Sequence, residues 1–219
     1  MQYRPDACQP VTNWLHTAST LVTPVNPQSG GPSVDGNWEL ATPYPSAPWN
    51  HEAPDPCKLT TFVAAWVDAP KSTGWYNPND GLSQWISPLS DGPNTVGGWY
   101  VYQTEFLIPP IAFGNTKYNL TVTGKLVADD QVPAIFLENP ATDQFSCKPV
   151  VLPALAPVEA TTPPSMFNIW VPFSFEARVV PDTSASLYVM LYNIQYPNGE
   201  SGNYTGLRLE FTSANFTPE

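Results

Sequence analysis

The chain has 219 residues, with eight Lys and Arg against nineteen Asp and Glu, and a formal net charge of −11. That balance excludes nucleic acid as the main partner, since phosphate contacts need clustered cations. A hydrophobic share of 42% with only 12% charged residues excludes disorder along the whole length. No uninterrupted apolar run reaches the length of a membrane-spanning helix. Twenty-seven Pro and thirteen Gly, widely scattered, leave few windows for a long helix and favour an all-β domain.

In chain order, residues 1–19 read as an N-terminal extension. The first thirty residues are broken by Pro and polar residues and lack the apolar core of a signal peptide. The expectation is a secreted or cell-surface protein whose signal peptide is absent from this chain. Short strands follow at Thr20–Thr23, Trp38–Ala41 and Thr60–Val67. The next, Trp99–Leu107, is rich in aromatic and β-branched residues, as strands prefer. Tyr118–Ala128 alternates cleanly, with Leu120, Val122 and Leu126 on one face and Asn119, Thr121, Thr123 and Lys125 on the other. Ala134–Leu137 is shorter, and Phe173 and Phe175 flank a serine. Leu187, Val189 and Leu191 alternate, as do Leu207, Leu209 and Phe211 with Arg208, Glu210 and Thr212 opposite. Turn-rich Pro, Gly and Asn segments separate these eight or nine strands, a pattern of sandwiches and barrels. One domain over 1–219 is expected, with a long crossover loop at 138–172.

Five motifs occur in order: Asp35-Gly-Asn-Trp38-Glu-Leu, Trp85-Ile-Ser-Pro88, Gly98-Trp-Tyr100-Val-Tyr102-Gln-Thr104-Glu-Phe106, Ala128-Asp129-Asp130 with Ile135-Phe-Leu137-Glu-Asn139, and Thr205-Gly-Leu-Arg208-Leu-Glu210. Together they resemble the galactose-binding-domain-like jelly-roll modules of exported and cell-surface proteins. The chain departs from that pattern at Leu137-Glu138-Asn139-Pro140, where Glu and Pro stand in place of an Asn-Gly turn. The resemblance implies a two-sheet antiparallel jelly-roll sandwich and no catalytic set. It implies a role in binding glycans or in structure beside other domains.

The chemistry-bearing residues fit a non-catalytic module. Asp129 and Asp130 follow a strand directly, and neighbouring strand residues point to opposite faces. They read as a turn or, alternatively, as ligands of a structural Ca²⁺, which takes several loop oxygens. His16 and His51 are the only histidines, and no G-x-S-x-G elbow, P-loop or dinucleotide fingerprint occurs. Trp38, Trp66, Trp85 and Trp99 read as core. Trp49 and the loop Trp75-Tyr76-Asn77-Pro-Asn79-Asp80 pair rings with polar groups, as a sugar site does. Asn119, Asn203 and Asn215 begin N-x-Thr glycosylation sequons. Of the three cysteines, Cys8 and Cys57 are the candidate disulfide, although pairing cannot be read from sequence.

The expected function is carbohydrate binding outside the cell. The first alternative is a self-assembling structural subunit of a surface layer, filament or matrix, and a glycan-active enzyme is the remote one. Expected partners are a glycan or neighbouring surface-protein subunits, including copies of the chain itself. No cofactor is required beyond the candidate Ca²⁺.

Overall fold

A computed structural model describes residues 33–41, 53–68, 83, 85–89, 95, 97–108, 110, 117–139, 148–150, 169–193 and 205–218. Ten strands lie among them: β1 Ser33–Ala41, β2 Phe62–Asp68, β3 Trp85–Ser87, β4 Gly98–Leu107, β5 Tyr118–Asp129, β6 Gln131–Glu138, β7 Lys148–Val150, β8 Val171–Val179, β9 Ser184–Asn193 and β10 Gly206–Pro218. A single 3₁₀ turn, Pro56–Lys58, is capped by the Asp55 side chain, which accepts from the Cys57 N–H at 3.2 Å. The expected Thr20–Thr23 strand lies outside the described residues.

The strands join antiparallel in the order β7-β6-β9-β4-β1-β2-β3-β10-β5-β8. The chain steps repeatedly between the two halves of that order, from β4 to β5, β5 to β6, β8 to β9 and β9 to β10. Inward side chains of both halves share one core, with Trp38, Tyr100, Tyr102, Leu187 and Val189 facing Leu120, Val122, Leu126, Leu207 and Leu209. The sheet therefore folds over on itself into an all-β sandwich of the jelly-roll class. Because β2 still pairs with β3 across the fold, it is nearly barrel-like.

The period-2 expectation holds on the inner faces. Tyr118, Leu120, Val122 and Leu126 are buried, and the intervening residues of β5 are half-buried. Trp38 and Trp85 are in the core, each worth about 4–6 kcal/mol of apolar transfer. Trp66 is half-buried, and Trp99 belongs to a second apolar cluster on an outer face.

Gly124 marks a tight contact in this core. It pairs with Phe211 on one side and Phe173 on the other, and those two rings meet edge-on at 6.1 Å. A Cβ at this position would come within 2.6 Å of the Glu210 carbonyl oxygen and 2.7 Å of the Phe173 ring. Only glycine leaves room for the Phe173 ring and the Glu210 carbonyl at this point.

Strand β10 departs from simple alternation in two ways. A bulge between Phe211 and Ser213 inserts Thr212, so the inward set changes from Leu207, Leu209 and Phe211 to Ala214 and Phe216. Thr212 is exposed as expected, but Arg208 and Glu210 are buried, at 1% and 5% exposure. The reason is the cover on that outer face. Ser83 and Trp170, distant in sequence, lie against the pair.

The long 138–172 segment contributes two described pieces. Lys148–Val150 adds the short strand β7 to the edge of β6, and Ile169-Trp170 leads into β8. Cys57 is half-buried and packs against the second apolar cluster. Cys8 and Cys147 both lie outside the described residues.

Candidate functional site

The outer face of the β6-β9-β4-β1 layer is built from residues that alternate with the core set. In β9 the core takes Leu187, Val189 and Leu191, so Ser186, Tyr188, Met190 and Tyr192 turn outward. Strand register lines up their neighbours. Glu39 pairs with Gln103, Gln103 with Tyr188, and Tyr188 with Phe136. One row further on, Glu105 pairs with Ser186, and Ser186 with Glu138.

This face divides into two parts. Ala41, Trp99, Val101, Tyr188 and Met190 form an apolar cluster, against which Cys57, Leu59, Phe62, Phe136 and Tyr192 pack. Segment 53–61 thus provides part of the cover for the apolar part. Beside it lies a groove of about 360 Å³ lined by Glu39, Gln103, Glu105, Glu138, Ser186, Tyr188 and Phe62, among others. That volume falls within the range of small-ligand sites. The Phe62 and Tyr188 rings stand 6.3 Å apart at 35° and provide an aromatic wall.

Hydrogen bonds fix the floor of the groove. The Tyr188 hydroxyl donates to Glu138 Oε2 at 2.8 Å. Burial and then the hydrogen bond and charge of Glu138 raise the Tyr188 pKa well above its ordinary 10.0, so the phenol stays protonated and remains a donor. Gln103 Nε2 donates to Glu105 Oε1 at 3.3 Å and to Ser186 Oγ at 3.4 Å. Gln103 is 5% exposed, and its Oε1 is buried without a hydrogen-bond partner. A buried amide oxygen with no donor is uncommon in a folded protein and is costly to leave unmet.

A second polar cluster sits on the outer face of β5 and β10. Ser83 Oγ donates to Glu210 Oε1 at 2.5 Å, and Arg208 Nε donates to Ser83 Oγ at 2.6 Å. Lys125 Nζ lies 2.8 Å from Glu210 Oε2, and Arg208 Nη2 lies 3.4 Å from Oε1. The Trp170 ring spans both cations, with Lys125 Nζ 4.3 Å and the Arg208 guanidinium carbon 5.1 Å from its centroid. These groups satisfy one another, which marks the cluster as a fastening between the layer and its cover.

Asp129 ends β5 and Asp130 forms the bend into β6, joined by a cis peptide bond. Both are buried, and each makes polar or electrostatic contacts. Nearby in register, Thr95 and Thr205 hydroxyls lie 2.6 Å apart, and Asn193 Nδ2 donates to Thr95 Oγ1 at 3.4 Å. Among the described residues no three His, Cys, Asp or Glu side chains cluster closely enough to hold a metal ion.

Trp49, Trp75, Tyr76, Asn77, Asn79 and Asp80 lie outside the described residues, as does Asn203. Asn119 is half-buried and Asn215 is exposed. Each pairs with the Thr of the other's sequon, Asn119 with Thr217 and Thr121 with Asn215. The groove residues escaped the sequence reading because they sit within strands. The available signal was the outward face of β9, where two tyrosines and a methionine alternate with the core set.

Fold and site together define an all-β, sandwich-like protein carrying an acidic groove with an aromatic wall on one sheet face. No protein family model matches the chain, and no curated protein is similar enough to count as a relative.

Proposed function

We propose that this protein is a non-catalytic carbohydrate-binding module and that the groove over β4 and β9 is its binding site. The observation that carries the proposal is the pairing of the Phe62 and Tyr188 rings with Gln103, Ser184, Ser186 and three carboxylates in one groove of about 360 Å³. Sugar rings present C–H faces that pack on aromatic rings and hydroxyls that need fixed polar partners. The ordered motifs that resemble galactose-binding-domain-like jelly rolls support the same reading. It places the protein outside the cell and includes a Cys8–Cys57 disulfide. It does not depend on calcium.

Self-assembly through an open sheet edge has less support. The edge strand β8 exposes Pro172, Glu176 and Arg178, which discourage strand addition.

The test is a glycan array and titration calorimetry, with and without Ca²⁺, on the wild type and on Phe62→Ala and Glu138→Ala. Binding that weakens at least about fivefold in both variants, with an unchanged circular dichroism spectrum, supports the groove as the site. Absence of binding to any glycan overturns the proposal. Binding untouched by either variant moves the site elsewhere.

A further inference from the structure

The groove's hydrogen-bonding capacity is lopsided, and this bears on which sugars it takes, given the proposed carbohydrate-binding role. The Tyr188 O–H is committed to Glu138. Gln103 Nε2 donates to two groove neighbours, Glu105 and Ser186. Thr60, Ser184 and Ser186 add one O–H donor each, but three carboxylates and an amide oxygen outnumber them, so what remains is mostly acceptor. Glu39 and Glu105 are exposed, Glu138 is half-buried, and the Gln103 Oε1 beneath them has no donor. None of the ten described lining residues is Lys, Arg or His.

Three ligand chemistries can be weighed against that surface. A uronic or sulfated sugar brings negative charge to three carboxylates with no cation among the described lining residues to offset them, and it is repelled. A neutral sugar offers each hydroxyl as donor and acceptor, but the groove can use chiefly the donor half. A sugar bearing a free amine presents an ammonium with three donors and no acceptor, which matches the surplus. Its positive charge also suits the faces of the Phe62 and Tyr188 rings. The net charge of −11 adds long-range attraction for a polycation.

We infer that the groove selects glycans carrying free amino groups, of the glucosamine type, over their N-acetylated, neutral and acidic counterparts. Acetylation removes the charge and replaces a multi-donor group with one donor and one acceptor, so it removes both sources of preference. An exposed ion pair contributes only modestly. Two or three such contacts correspond to a preference of about tenfold at low salt, shrinking as salt shortens the Debye length.

Titration calorimetry at low and high salt would compare glucosamine hexamer, N-acetylglucosamine hexamer, cellohexaose, a galacturonate hexamer and a lysine-rich peptide. The expected result is tightest binding of the glucosamine hexamer, about tenfold over the acetylated form at low salt. Glu39→Gln/Glu105→Gln changes two exposed side chains, should leave the fold intact, and should erase most of the preference. Equal binding of amino, acetylated and neutral oligomers overturns the inference and leaves the carbohydrate reading standing. So does a preference that survives the double substitution. Peptide binding with no sugar binding overturns both. No binding of any oligomer, with a null glycan array, overturns the carbohydrate reading itself.

Discussion

Replacing Arg208 by methionine puts the buried charge cluster to a quantitative test. Arg208 and Glu210 are 1% and 5% exposed, and Ser83 bridges them. Removing one partner of a buried ion pair costs about 3–5 kcal/mol, because the other charge is left without compensation in a poorly solvated place. Here Lys125 still reaches Glu210 at 2.8 Å, so the expectation lies at the low end, about 3 kcal/mol. For a chain of this size that corresponds to a fall in Tm of roughly 6–12 °C. Lys125→Met removes a cation that is 31% exposed and should cost only about 1 kcal/mol or less. Arg208→Met combined with Glu210→Leu removes both buried charges, and the double variant should be more stable than Arg208→Met alone. Urea unfolding followed by tryptophan fluorescence, together with calorimetry, measures all three. A loss within about 0.5 kcal/mol for Arg208→Met, or a double variant less stable than the single one, would refute the reasoning.

Gly124→Ala should destabilise the fold by about 1–3 kcal/mol in urea unfolding, since the new methyl meets the Glu210 carbonyl, a backbone atom that cannot swing aside. Tyr188→Phe should change the alkaline limb of stability. With a folded pKa raised above 10.0, Tyr188 keeps its proton in the native state while the unfolded state releases it, so its contribution is fully present below pH 10 and is lost as pH rises further. Stability measured between pH 9 and 11.5 should therefore fall more steeply in the wild type than in Tyr188→Phe, by up to about 1.4 kcal/mol per pH unit above pH 10. Peptide mapping without reduction should recover Cys57 in a disulfide-linked peptide with Cys8 as the proposed partner, and a free Cys57 thiol would overturn that proposal.

The groove and the charge cluster share a feature that explains why neither was visible beforehand. Both lie on the outer faces of strands whose inner faces were readable. Alternation in Tyr118–Ala128 fixed Leu120, Val122 and Leu126 as core, and the tertiary structure agrees. The same alternation assigned Arg208 and Glu210 to a polar flank, and there the structure differs. Whether a second face is wet depends on what covers it, and here Ser83 and Trp170, distant in sequence, lie against it. Trp49, Trp75 and Tyr76, the aromatic residues that the sequence favours for sugar contact, lie outside the described residues. The rings in the described groove are Phe62 and Tyr188, which read as ordinary strand residues.

By itself the chain determined its class. Scattered prolines and glycines shut out long helices, and period-2 runs made short strands with one apolar face each. It also determined the inner layer, because an apolar face must be buried somewhere whichever strand it meets. The tertiary structure decided which strands are neighbours, and with that the rows Glu39–Gln103–Tyr188 and Glu105–Ser186–Glu138 that make the groove. It also decided the bulge that shifts β10 by one residue after Phe211. Register between strands distant in sequence is set by the fit of whole faces, and a strand taken singly carries no record of its partner.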